Sequence, residues 1–69
     1  MTQVAMDWHQ RIEVTPDAHH GEPRIRGTRV PVAVVLANLA EGLDVQDILR
    51  EYPSLREEDV RAALVFAAA

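Results

Sequence analysis

Arg24, Arg26 and Arg29 stand in the run Gly21-Glu-Pro-Arg-Ile-Arg-Gly-Thr-Arg-Val-Pro-Val32, which also holds two glycines and two prolines. A guanidinium is planar, always charged, and offers a fork of donors that matches carboxylate or phosphate. Glycine and proline punctuate a chain, so these cations ride on a shaped loop or short hairpin. The chemistry on offer is anion recognition. Other candidates are weaker. Glu57, Glu58 and Asp59 cluster, but at the start of a helical pattern, where the helix dipole favours carboxylates on a solvated face. His19 and His20 are adjacent in a turn, and neighbouring residues rarely share one metal. Gly21 and Gly27 lack the Walker spacing, and Thr28-Arg29 follows them instead of Lys-Ser/Thr. With no cysteine and no Gly-x-Ser-x-Gly, the chain is expected to be a binding protein, not an enzyme, without metal or cofactor.

The chain has 69 residues, which predicts a single domain. Such a chain buries only about 60% of the surface its unfolded form exposes. Domains below roughly 70–80 residues usually need a disulfide, a metal or a second subunit. Without cysteine, a homodimer or a complex with another protein is expected. The formal net charge is −4 and is unevenly placed. Residues 21–32 are net cationic, while residues 41–59 are net acidic, which suggests two kinds of surface. Overall acidity argues against a general nucleic-acid coat. All 7 cations are arginine. GC-rich codon usage accounts for that, and selection for bidentate contacts is the alternative. No apolar run reaches membrane-spanning length, and the N-terminus lacks a signal pattern. A cytoplasmic location is expected.

The elements that would carry the arginines follow from the periodicity. Residues 1–10 show no period and read as a flexible N-terminus, apart from Trp8, an anchor or an interface hot spot. Gln10–Val14 alternates, Thr15–Pro23 is turn chemistry, and Arg24–Arg26 alternates again. This predicts a β-hairpin or arm over 11–30, with Ile12, Val14 and Ile25 on one face. An isolated hairpin is marginal in water, so Trp8, Ile12, Val14 and Ile25 are expected at a dimer interface.

Three helical stripes follow: Val32, Val35, Leu36, Leu39 and Ala40; Val45, Ile48, Leu49 and Tyr52; Val60, Ala63, Leu64 and Ala67. Pro31 suits the start of the first helix and Gly42 its left-handed end. Asp44 with Asp47 makes an imperfect capping box, and Pro53 ends the second helix at Tyr52. Helices are expected at about 31–41, 44–52 and 56–68. The fold class is therefore mainly α, a helical bundle over 31–68 with an N-terminal β-arm, and its short links resemble a helix-turn-helix.

The order of motifs resembles the bacterial domain-of-unknown-function family 433. Gly21, Pro23, Ile25, Gly27, Thr28, Arg29, Pro31 and Val32 match its Gly-x-Pro-x-Ile-x-Gly-Thr-Arg-x-Pro-Val signature. Gly42, Ile48, Leu49, Tyr52, Pro53 and Leu55, then Asp59, Val60, Ala62, Ala63 and Leu64, continue the match over residues 11–67. The resemblance implies a three-helix, homeodomain-like fold with a β-arm. It also implies a VapB-like antitoxin role: binding and silencing a PIN-like nuclease toxin, with possible binding of promoter DNA. The family places Ser or Thr where this chain has Arg56. Arginine cannot accept the helix N-terminal N–H bonds, so a cap worth about 1 kcal/mol is expected to be lost unless Ser54 or a shifted start compensates.

In a helix-turn-helix the third helix would read DNA through its first residues, here Arg56, Glu57, Glu58, Asp59 and Arg61. Three carboxylates at that end oppose phosphate. The arm with Arg24, Arg26 and Arg29 is thus the better contact surface, for an acidic nuclease pocket or, as a ribbon, for the major groove. Pairing of these arginines with Glu22 or helix acids is the structural alternative, and Arg29 could instead fix the Gly27-Thr28 turn. A stand-alone DNA-binding regulator and a purely structural dimer module are the other functional readings.

Overall fold

A computed structural model of the chain describes residues 7–15 and 21–69. The expected turn at 15–23 falls partly outside that range, as do His19, His20 and residues 1–6 of the expected flexible N-terminus. A short 3-10 turn, Trp8–Gln10, leads into strand β1 (Ile12–Glu13), which pairs antiparallel with β2 (Arg24–Ile25). Helices α1 (Val32–Ala40), α2 (Val45–Glu51) and α3 (Glu57–Ala68) follow. The fold class is the one expected, mainly α with a small N-terminal β pair.

The strands are shorter than the alternating pattern suggests. Gln10 belongs to the 3-10 turn, and β1 ends at Glu13. In register, Ile12 lies opposite Ile25 and Glu13 opposite Arg24. Ile12 and Ile25 are 2% and 0% exposed. They are core residues of the single chain, not the dimer surface expected of them, because the β pair packs onto α3 instead of projecting as an arm. Val14, expected on the same face, lies past the strand end and is 49% exposed.

Helix α1 is built against propensity. Val32, Val34 and Val35 lose side-chain freedom in a helix, and the burial of Val32 and Val35 offsets that cost. The helix ends as glycine permits. Gly42 has φ +99, the Leu43 N–H donates to the Asn38 carbonyl at 3.1 Å, and the Gly42 N–H donates to that of Leu39 at 3.0 Å, a Schellman motif. Helix α2 opens on a full capping box. The Asp47 N–H donates to Asp44 Oδ1 at 2.9 Å and the Asp44 N–H to Asp47 Oδ2 at 3.2 Å. Tyr52, at φ −123 and ψ 81, closes it before Pro53. Leu55 then turns into the core.

Helix α3 departs from expectation at both ends. Its buried residues are Asp59, Val60, Ala62 and Ala63, with Phe66 packed against the core. Leu64 is 49% exposed and Ala67 is exposed too. The true stripe is rotated from the expected one, and it includes a carboxylate that composition assigns to solvent. Arg56 is the N-cap, with extended backbone and no acceptor to give. Neither Ser54 nor a shifted start compensates. Asp59 does, accepting from the Arg56 N–H at 2.9 Å through Oδ2, which is half of a capping box. Its Oδ1 accepts from Arg11 at 3.1 Å.

Two stability predictions follow from this end of α3. Asp59→Ala strips a cap and leaves the Arg11 donor without its partner, so it should lower stability by about 1–3 kcal/mol, whereas exposed Glu58→Ala stays within about 0.5 kcal/mol. Matching melting temperatures for the two variants in calorimetry would contradict the role given to Asp59. Arg56→Ser restores an acceptor at a backbone already extended for capping, and chemical denaturation should show a gain of about 0.5–1 kcal/mol.

Candidate functional site

The signature segment is a stapled loop. The Thr28 N–H donates to the Ile25 carbonyl at 3.0 Å, and Gly27, third in that turn, has φ +81, as a type II turn requires. A side chain at Gly27 would meet nothing within 4 Å, so glycine is needed there for its backbone alone. The Thr28 hydroxyl donates to the Ile25 carbonyl at 2.8 Å and accepts from the Val30 N–H at 3.0 Å. The Ile25 N–H donates to the Val30 carbonyl at 2.9 Å, and the Val32 N–H to that of Pro23 at 3.0 Å. Pro31, bridged to Arg24, is the N-cap of α1. Gly21 enters the loop at φ +77. The turn between β2 and α1 is thus welded to both.

The arginines divide by their partners. Arg24 is half-buried and paired with Glu13 at 3.6 Å, its cross-strand neighbour. Neither Glu22 nor a helix acid takes that place. Arg26 donates through one terminal nitrogen to the carbonyls of His9 at 3.0 Å and Ile12 at 3.2 Å. It fastens the turn to the N-terminal segment, so Arg24 and Arg26 do not form a free basic ribbon. Arg61 pairs with Glu57 at 3.8 Å on the exposed face of α3, and Arg50 with Asp47 at 3.3 Å. Arg29 is exposed and makes no side-chain bond among the described residues. Thr28, not Arg29, fixes the turn.

Arg11, which no motif marks, and Asp59, expected on a solvated face but buried, organise this surface. Arg11 bonds Asp59, and its carbonyl accepts from the Arg26 N–H at 2.7 Å. Asp59 in turn holds the Arg56 amide. A continuous path of bonds therefore runs from Arg26 through Arg11 and Asp59 to Arg56. The signal for Glu13 lay in the register, since matching Ile12 to Ile25 sets Glu13 opposite Arg24. The three-residue spacing from Arg56 marks the capping bond of Asp59, but nothing local marks its bond to Arg11, 48 residues away.

Trp8 is half-buried. Its ring meets Phe66 edge-on at 4.7 Å and stacks on His9 at 3.8 Å. Its described contacts lie within the chain's own packing. The Asp7 carboxyl is held below the ordinary aspartate range, first by the His9 ring nitrogen and then by the His9 amide. Among the described residues no group of three His, Asp or Glu could hold a metal, and no helix is long and apolar enough to cross a membrane.

Fold and surface together define a small mainly helical module that presents a stapled arginine turn between its β pair and its first helix. The chain belongs to the family described as "Protein of unknown function (DUF433)", whose model matches residues 12–67. It is 46% identical over 55 residues to the uncharacterized protein y4eO of Sinorhizobium fredii (strain NBRC 101917 / NGR234), a match covering 80% of this chain and 25% of that protein. The crystal structure of a DUF433 member from Anabaena variabilis ATCC 29413 superposes with a TM-score of 0.74 at 38% identity, covering 81% of this chain and 55% of that one. The chain thus spans about a quarter and about half of these two relatives.

The Asp7 shift has a pH consequence. A depressed carboxyl contributes stability above its unfolded-state value and loses it as pH falls through the lower folded value. NMR titration of the Asp7 carboxyl should show a midpoint below the ordinary aspartate value, and His9→Ala should return it. An unchanged midpoint in that variant would remove His9 as the cause.

Proposed function

We propose that this chain is a non-catalytic antitoxin subunit of a type II toxin–antitoxin pair, which binds and silences a PIN-like ribonuclease in the cytoplasm. One observation carries this reading. The cations without a carboxylate partner among the described residues are Arg26, Arg29 and Arg56, whereas Arg11, Arg24, Arg50 and Arg61 are each paired. Arg26 and Arg29 stand on the one stapled turn, and no acidic residue lies between Pro23 and Val35. A cationic turn on a chain of net charge −4 fits a compact acidic partner, and the metal-holding acids of a nuclease pocket are such a partner.

Promoter DNA is the second reading, and the charge placement disfavours it. Duplex binding draws its strength from many phosphate contacts, and three unpaired guanidiniums provide few. If α2 and α3 act as a helix-turn-helix, the presented end of α3 carries exposed Glu57 and Glu58. The homodimer expected from chain size stays part of the proposal, but its face cannot include Ile12 or Ile25. Among the described residues, Val14 and Leu64 are the large apolar side chains left exposed.

Co-expression with the tagged product of the adjacent gene tests the proposal. The two proteins should co-elute, and the nuclease should lose RNA cleavage in the complex. A nuclease that elutes alone and cleaves at full rate in the presence of this chain refutes it.

A further inference from the structure

We infer that Arg29 is the residue that enters the acidic partner, and that Thr28 is the positioning residue that aims it; this rests on the proposed toxin-binding reading. The arginines that look equivalent in sequence differ in what already holds them. Arg24 is half-buried and neutralised by Glu13. Arg26 spends a terminal nitrogen on two backbone carbonyls, and moving it outward breaks both. Arg56 is exposed, but exposed Glu57 and Glu58 follow it directly and Asp59 holds its amide, so its surroundings repel a carboxylate. Arg29 is exposed, bonded to nothing among the described residues, and has no acid within six positions on either side.

Its backbone is nonetheless locked. Thr28 bonds forward to the Val30 amide and back to the Ile25 carbonyl through one hydroxyl. The Ile25–Val30 bond closes the loop beneath it. A long charged side chain normally loses freedom on binding, at a cost in affinity. Here the fold has already fixed the mount, leaving only the side chain to order. Such rigidity serves no bond of the Arg29 side chain, which is exposed and makes none among the described residues. The ligand chemistry this suits is a carboxylate cluster that takes the guanidinium end-on or side-on.

The test is binding and RNA-cleavage inhibition with the adjacent-gene nuclease, measured by calorimetry on the full chain. Arg29→Ala should weaken binding at least tenfold without changing the melting temperature, and Arg29→Lys should restore only part. Thr28→Val should weaken binding by a smaller factor, and Thr28→Ser should recover it. Arg24→Ala should lower the melting temperature and leave affinity near wild type. An Arg29→Ala chain that binds like wild type overturns this inference while the toxin-binding reading stands. A wild-type chain that neither binds nor inhibits removes both. Salt-steep binding to its promoter fragment that Arg29→Ala abolishes, without nuclease binding, replaces the carboxylate partner by phosphate and also overturns it.

Discussion

The carboxylate of Asp59 is the point through which this small structure is tied together. It is 7% exposed, and a buried carboxylate without partners is strongly unfavourable. One oxygen takes the amide at the start of its own helix and the other takes the guanidinium of Arg11. The first bond starts α3. The second brings the chain leading into β1 against that helix, and β1 brings β2 with it. The signature turn follows from β2 and runs directly into α1. A single side chain thereby relates the strands to the helices in a chain with no disulfide.

Much of the helical architecture could be read from local chemistry. Gly42 ended α1 because only a left-handed residue completes that cap, and Asp44 with Asp47 opened α2 because both halves of the capping box lie within one turn. These signals need no knowledge of the fold. What could not be read depended on partners far along the chain. The stripe of α3 was displaced because Asp59, polar by type, becomes core once Arg11 reaches it. From sequence, Ile12 and Ile25 point to a second copy because two short strands are marginal alone. The helices supply the missing support, and nothing in the strand segments announces that.

The arginine segment shows the same division. Its glycines, prolines and threonine read as shape and proved to be shape, each with a backbone bond or a positive φ to account for it. Its arginines read as one group and separated into three roles: a cross-strand ion pair, a clasp on backbone carbonyls, and a free cation. The difference lies in neighbours that come from β1 and the 3-10 turn. A motif dense in charge is therefore a poor guide to which charge is available, until the surrounding chain has taken what it needs.

The contact between Trp8 and Phe66 has an architectural consequence. It places the beginning of the described chain beside the last turn of α3, so the two ends of the described chain lie near one another. A unit whose ends meet can be appended to another domain or inserted into a surface loop without spanning a gap. The two relatives are several times and about twice the matched length.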